Sequence, residues 1–267
     1  MYIAKQSLEN GYNEYISLNS PAGRLSMMDV GVVILEQCER CTFGGDAEKE
    51  CGIVLVEGAV TFCWDGETET ANRPNCFDYK GWCLHLPKGK CCTVTAAARS
   101  ELYVQSALNE REFPAKMYRP DDVIVQRLGA DGEVAGKMRR NVCTYFEYAN
   151  APYSNMVLGE VINIPGLWSS YPPHYHPQPE VYYYRFDKPQ GFGAGFANGE
   201  IYKTGDHGLL LITSDFHSQV TAPGYAMYYI WGIRHIDGDP WDRTRIDCPE
   251  HVWMLEPDAK IWSGDNL

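Results

Sequence analysis

Between Ser169 and Phe186 the chain places two imidazoles one residue apart, His174 and His176. The bend Pro177-Gln178-Pro179 follows, and then a carboxylate, Glu180, opens the run Val181-Tyr182-Tyr183-Tyr184. Imidazole nitrogen and carboxylate oxygen are donors for a divalent cation, and without a thiolate they suit Zn, Mn, Fe, Co or Ni alike. In an extended strand alternate side chains share a face, so His174 and His176 project together. Glu180 reaches the same point from the next strand once the prolines reverse the chain. A fourth donor has to come from a distant strand, and His217 in Ser214-Asp215-Phe216-His217-Ser218-Gln219-Val220 is the candidate. Two histidines at this spacing are more often ordinary half-buried strand residues; the acid after a tight bend and the downstream imidazole shift the balance toward a metal centre.

Such donors need strands to carry them, and the composition supplies strands. Aromatic residues make up 13% of 267 residues, with 18 Tyr and 7 Trp, while runs of Ala, Leu, Glu and Lys are scarce. The 45% hydrophobic content is enough to bury a core without staples. Short apolar runs punctuated by turns begin at Val30–Leu35 and continue through Cys51–Val56 and Ala59–Trp64, which a hairpin at Glu57-Gly58 is expected to join. Further runs lie at 82–87, 92–96 and 101–107, so a sandwich or barrel can be complete by residue 110. Residues 1–22 read as an irregular lead-in, and 109–122 as a polar crossover. The second half repeats the pattern with strands at 123–128, 139–146, 157–164 and 225–234. Gln190–Ala197 is glycine-rich, but it lacks Gly-x-Gly-x-x-Gly spacing and a following helix, so it reads as a thinned strand turning at Asn198-Gly199. His207 is expected in a solvated turn, and the acidic tail from His235 is expected to pack across the outside.

His-x-His, Glu after three residues and a later His form the metal signature of cupins. The surrounding Gly166-Leu167-Trp168-Ser169-Ser170-Tyr171-Pro172-Pro173, Glu180–Phe186, Ala222-Pro223-Gly224-Tyr225 and Tyr228-Tyr229 resemble the 5-deoxy-glucuronate isomerase family of inositol catabolism. That family is related to the 5-keto-4-deoxyuronate isomerases; the resemblance is detailed from Arg140 to Trp241 and looser elsewhere. It implies an all-β bicupin, two tandem double-stranded β-helix (jelly-roll) barrels. Residues 1–122 would be a barrel without metal, carrying the family's Arg73-x-x-x-Phe77 and Leu86-Pro87-x-Gly89 features. Residues 123–267 would be the metal-binding barrel with its tail. The implied reaction is metal-dependent aldose-ketose isomerisation of 5-deoxy-D-glucuronate to 5-dehydro-2-deoxy-D-gluconate, an intramolecular oxidoreduction. The chain departs from the general cupin pattern in lacking Pro-x-Gly before His217 and a glycine six residues beyond the second-strand aromatics. Rival readings are a 5-keto-4-deoxyuronate isomerase of pectin degradation, a cupin dioxygenase with iron in the same donor set, and a non-enzymatic sugar-binding cupin.

Isomerisation also needs a proton shuttle and a grip on the substrate. Alternation from Glu180 turns Tyr182 and Tyr184 inward, making Tyr184 an acid/base candidate, and Gln219 accompanies His217. Arg185 points outward by the same count, leaving Arg140 and Arg234 as candidates to hold a carboxylate. The formal net charge of −12 offers no basic face for nucleic acid, so a small anionic sugar acid would need a local positive potential from the metal and arginines. No apolar run approaches the roughly 20 residues that span a bilayer, and the N-terminus lacks a signal-peptide core, so a cytoplasmic location is expected. The ten cysteines are then expected to be reduced, with Cys38-x-x-Cys41 as loop and strand thiols more than half a zinc site. His85, with no converging acid in view, reads as structural, and a homo-oligomer is left open.

Overall fold

The computed structural model describes residues 1–4 and 7–262. Residues with left-handed backbone set many of the turns, because positive φ bends an extended chain sharply. At Asn198-Gly199 both residues are left-handed (φ 56° and 74°) and close a tight hairpin between Phe192–Ala197 and Glu200–Gly205.

The first barrel is built from a leaf ordered Lys116–Tyr118, Trp82–Leu86, Lys49–Trp64, Ser100–Leu108, Asp29–Leu35, Gly11–Ile16. Arg40–Gly44, Cys91–Ala96 and Glu67–Arg73 form the facing leaf. Its interior is apolar throughout, with Val33, Phe43, Ile53, Leu55, Phe62, Leu84 and Val94 buried together. The hairpin expected at Glu57-Gly58 does not form: Lys49–Trp64 is one continuous strand. Gly58, at φ 116°, is instead the corner where that strand leaves one leaf for the other, with a register shift between Leu55 and Glu57. A Cβ there would lie 2.3 Å from Ser100 Oγ, so glycine is required by close approach and by φ, and it signals a bulge as readily as a turn.

The second barrel pairs a leaf ordered Tyr2–Ile3, Leu209–Ile212, Glu180–Phe186, Met227–Arg234, Met156–Asn163, Arg140–Phe146, Ile124–Leu128 with a second leaf. The second leaf is ordered Glu200–Gly205, Phe192–Ala197, His217–Thr221, Trp168–Tyr175, Ile246–Asp247. The first residues are therefore not an irregular lead-in. Tyr2–Ile3 pairs with Leu209-Leu210, Gly11–Ile16 is a strand, and Pro21–Ser26 is a short helix capped by Ser20. The edge of Leu209–Ile212 needed a partner, and the N-terminus supplies one across the line drawn at residue 122.

A third apolar cluster, including Tyr15, Val32, Tyr103, Phe146, Leu158, Tyr183 and Leu211, joins strands of both barrels. Three buried carboxylates cross this layer. Glu160 receives both terminal nitrogens of Arg73 at 2.6 and 2.9 Å, plus the hydroxyls of Tyr145 and Tyr228. Glu50 sits 2.7 Å from His85 Nε2 and accepts from Ser154 Oγ. Glu101 is met by Tyr183 and Arg185, so Arg185 does turn away from the second barrel's interior. His85 also stacks on Phe146 at 4.1 Å. His207, expected in solvent, is half-buried at its turn, with Nδ1 3.0 Å from the Tyr183 hydroxyl. All ten cysteines are free thiols.

Candidate metal centre

The donors come from both leaves of the second barrel. His174 closes the strand Trp168–Tyr175, and its Cα partner on the neighbouring strand is His217. The register between these strands shifts between Ser169 and His174, where Ser170 takes a left-handed conformation (φ 52°). Strict alternation is thus broken just before the imidazole is presented. His176 follows the strand end, and after Pro177-Gln178-Pro179 the chain returns in the other leaf with Glu180 as its first residue.

One ligand atom from each of His174, His176 and His217 lies within 4.8 Å of the others. Glu180 Oε2 is 3.4 Å from His176 Nε2 and 3.3 Å from His217 Nε2. All four side chains are buried. His176 Nδ1 lies 3.0 Å from Gln178 O and His174 Nδ1 3.4 Å from Pro172 O, an arrangement that places the ring proton on Nδ1 and turns a lone pair on Nε2 inward. Burial, reinforced by the neighbouring imidazoles and Arg245, holds His174 well below the usual imidazole range, and burial lowers His217 despite Glu180. Burial alone would raise the Glu180 carboxyl, but the His176 and His217 contacts outweigh it and hold it at about 2. Neutral imidazoles at His174 and His217 and an ionised Glu180 are the protonation states a cation requires of these donors. Glu180 Oε2 and both ring nitrogens of His217 have no hydrogen-bond partner despite burial, a cost that a cation shared by Glu180 Oε2 and one His217 nitrogen would remove in part. The residues present therefore fit a divalent metal.

The donors open on a cavity of ≈ 330 Å³. Tyr182 and Tyr229 line it, their hydroxyls 3.2 Å from Ser170 Oγ and 2.5 Å from Ser169 Oγ. Tyr184 does not line it: its hydroxyl donates to Gln219 Oε1 at 2.6 Å within the buried interior. Arg140 does, continuing the alternation Arg140, Val142, Thr144 along its strand. Arg234 is placed elsewhere, on a separate surface cleft with Arg111 and Asp237, because it alternates away from Trp231 and Ile233.

The tail contributes what the sequence reading assigned to the outside. Trp241, Arg243 and Arg245 line the cavity. Gln178 Nε2 donates to Asp239 O, the Trp241 amide donates to His235 Nδ1, and the Cys248 amide donates to Pro173 O. Ile246-Asp247 then pairs with Tyr175 and His174. Arg243 grips Glu147 with two nitrogens at 2.6 and 2.9 Å. Residues 241–245 form an irregular segment with Arg243 at φ 75°, ahead of the strand Ile246–Asp247, so no strand or helix period marked these three side chains in the sequence.

Two fused jelly-roll barrels, the second carrying three imidazoles and a carboxylate around one point, define a bicupin with a cupin-type donor cluster. The sequence profile of the KduI/IolB family matches residues 2–254, and the chain belongs to that family. It is 27% identical to the 5-deoxy-glucuronate isomerase of Shouchella clausii over 226 residues, 73% of this chain and 80% of that protein. It is 24% identical to the enzyme of the same name from Bacillus velezensis over 247 residues, 85% and 88% of the two chains. An IolB-like protein from Salmonella typhimurium superposes with a TM-score of 0.84 at 24% identity, covering 94% of this chain and 97% of that one. The oxalate decarboxylase of Lactobacillus farciminis shares the fold more distantly, with a TM-score of 0.61 at 11% identity over 85% and 82% of the chains.

Proposed function

We propose that the chain is a metal-dependent aldose-ketose isomerase that converts 5-deoxy-D-glucuronate to 5-dehydro-2-deoxy-D-gluconate. The observation that carries this reading is the cluster of His174, His176, His217 and Glu180, with unpartnered atoms on Glu180 and His217, beside a cavity that His174, His176 and Glu180 line. Family membership and the names of the relatives supply the substrate class. A divalent cation held by those four residues supplies Lewis acidity toward a vicinal hydroxy-carbonyl. The reaction moves one hydrogen from C2 to C1 and one proton between the two oxygens, and it needs no oxidant.

The chain's own groups have separable tasks. His176 and Glu180 are fixed by the turn between them, so the donor set is formed before substrate arrives. Burial and the Glu180 charge push the Tyr182 hydroxyl well above the usual phenol range. Tyr182 Oη therefore keeps its proton and donates a hydrogen bond to a substrate oxygen, with Ser170 Oγ beside it. Tyr184, tied to Gln219, braces the strand behind Tyr182. Trp231 and Trp241 close the cavity with apolar surface and limit water at the reacting carbons.

The test is incubation of the purified protein with 5-deoxy-D-glucuronate, followed by NMR, with and without chelator. Conversion that chelation abolishes and divalent metal restores supports the reading, and it must persist without oxygen, which separates it from a dioxygenase. The sequence also resembles the related 5-keto-4-deoxyuronate isomerases of pectin degradation. Faster turnover of 5-keto-4-deoxyuronate than of 5-deoxy-D-glucuronate would transfer the assignment to that substrate.

A further inference from the structure

We infer that Arg140 and Arg245 form the carboxylate clamp of the site, so that the ligand is an acid whose anionic group is held away from the donor cluster by two guanidinium groups. This rests on the isomerase reading for the reaction but not for the binding. Arg140 is 5% exposed, lines the cavity, and has no carboxylate within 4.0 Å among the described residues. Its Nη1 donates to Met138 O at 2.8 Å, which fixes the side chain but leaves the charge uncompensated. A buried guanidinium without a counter-ion is costly. Burial accordingly pulls its pKa down, reinforced by Arg245 and opposed by Tyr229, Tyr182 and the Glu133 carboxylate.

Arg245 lies on the opposite wall. The pairing of Ile246 with Tyr175 and of Asp247 with His174 registers it against the strand that presents the imidazoles. Its Nε lies 3.0 Å from Asp247 Oδ1 as an ion pair, and its side chain is 35% exposed. Arg243 is engaged more fully, gripped by Glu147 through two nitrogens, whereas Arg245 meets Asp247 through Nε and leaves its terminal nitrogens for a ligand. Among the described residues, Glu180, which belongs to the donor cluster, is the one carboxylate lining this cavity. In a chain of formal charge −12, the cavity is therefore locally cationic, and more so once a divalent ion is bound. A carboxylate accepting from Arg140 would supply the missing counter-charge, and a planar fork is suited to hold it through two hydrogen bonds. An aldose of the same size without a carboxylate would leave that charge buried and unpaired, so the site selects acids.

The test uses the metal-loaded protein and the fluorescence of Trp231 and Trp241, both in the cavity wall. D-glucuronate is the probe and D-glucose its neutral counterpart. The expected result is saturable quenching by glucuronate but not glucose, weakened at least about tenfold in Arg140→Gln. Arg140→Lys, which keeps the charge but not the fork, should be intermediate, and Arg245→Gln, more exposed, should weaken binding less. Metal content and near-UV circular dichroism of each variant must match wild type; should Arg140→Gln misfold, Arg140→Lys and Arg245→Gln carry the comparison. In turnover the clamp should appear chiefly as a raised KM. Equal affinity for glucuronate and glucose, or no loss of glucuronate affinity in the folded variants, would overturn the clamp. Selective glucuronate binding with no isomerisation of any uronate would overturn the reaction and leave the clamp standing.

Discussion

At the scale of single residues, what matters is which donors lack partners and which are already engaged. His217 and Glu180 have unpaired buried atoms facing one another, and removing an imidazole from that set should empty it. His174→Ala is expected to lose stoichiometric metal by elemental analysis and to lose turnover with it. Tyr182 and Tyr184 share a strand face, but only Tyr182 borders the cavity. Tyr182→Phe should lower kcat by about 10- to 100-fold while metal content stays unchanged. Tyr184→Phe should change kcat by less than about threefold and act on stability through the lost bond to Gln219. Equal effects of the two on kcat would mean that the proton donor is misassigned. Alternation made both tyrosines eligible from sequence; the hydrogen bond that retires Tyr184 depends on where Gln219 lands.

At the scale of elements, the tail is the segment whose role composition disguised. Its acidic character suggested an outer strap, whereas Trp241, Arg243 and Arg245 face the cavity. His235 anchors its start by accepting the Trp241 amide hydrogen at 2.9 Å. Burial, with Arg234 adding to it, lowers His235 from 6.5 to about 4. A lowered histidine favours the folded state in its neutral form, so its contribution is full above pH 6.5. It is lost as pH falls from there toward 4, where the unfolded chain binds the extra proton. Melting temperatures should therefore drop more steeply with acidification in wild type than in His235→Gln over that interval. Parallel curves would show that the anchor does not titrate. The same logic of element ends explains Gly58, where sequence signalled a reversal and the strand instead bends between leaves.

At the scale of the whole molecule, the two barrels are joined by an apolar layer with carboxylates set into it. Arg73 and Glu160 lie on different barrels, fully buried and paired through both nitrogens. Breaking the pair from one side strands the other charge, so Glu160→Gln should cost about 3–5 kcal/mol in denaturant unfolding. Replacing both, as in Arg73→Met with Glu160→Leu, should recover part of that loss; an additive result would show that the two charges do not depend on one another. The Arg73-x-x-x-Phe77 feature thus serves the joint between barrels, at a distance from the donor cluster.

The sequence by itself determined the strand-rich class and, through its family resemblance, the two-barrel plan, and it nominated a local donor set from short-range rules: alternation along a strand, a proline bend, donor chemistry. It also marked His217 as the remote donor on chemistry alone. Only the tertiary structure decided which arginine faces the cavity, because Arg140 and Arg234 differ only in which side of their strands meets the interior. It likewise decided that the N-terminus completes the second barrel's sheet and that the tail supplies a wall of the site. Those outcomes depend on edges and faces left open by elements far away in the chain, and no local pattern records them.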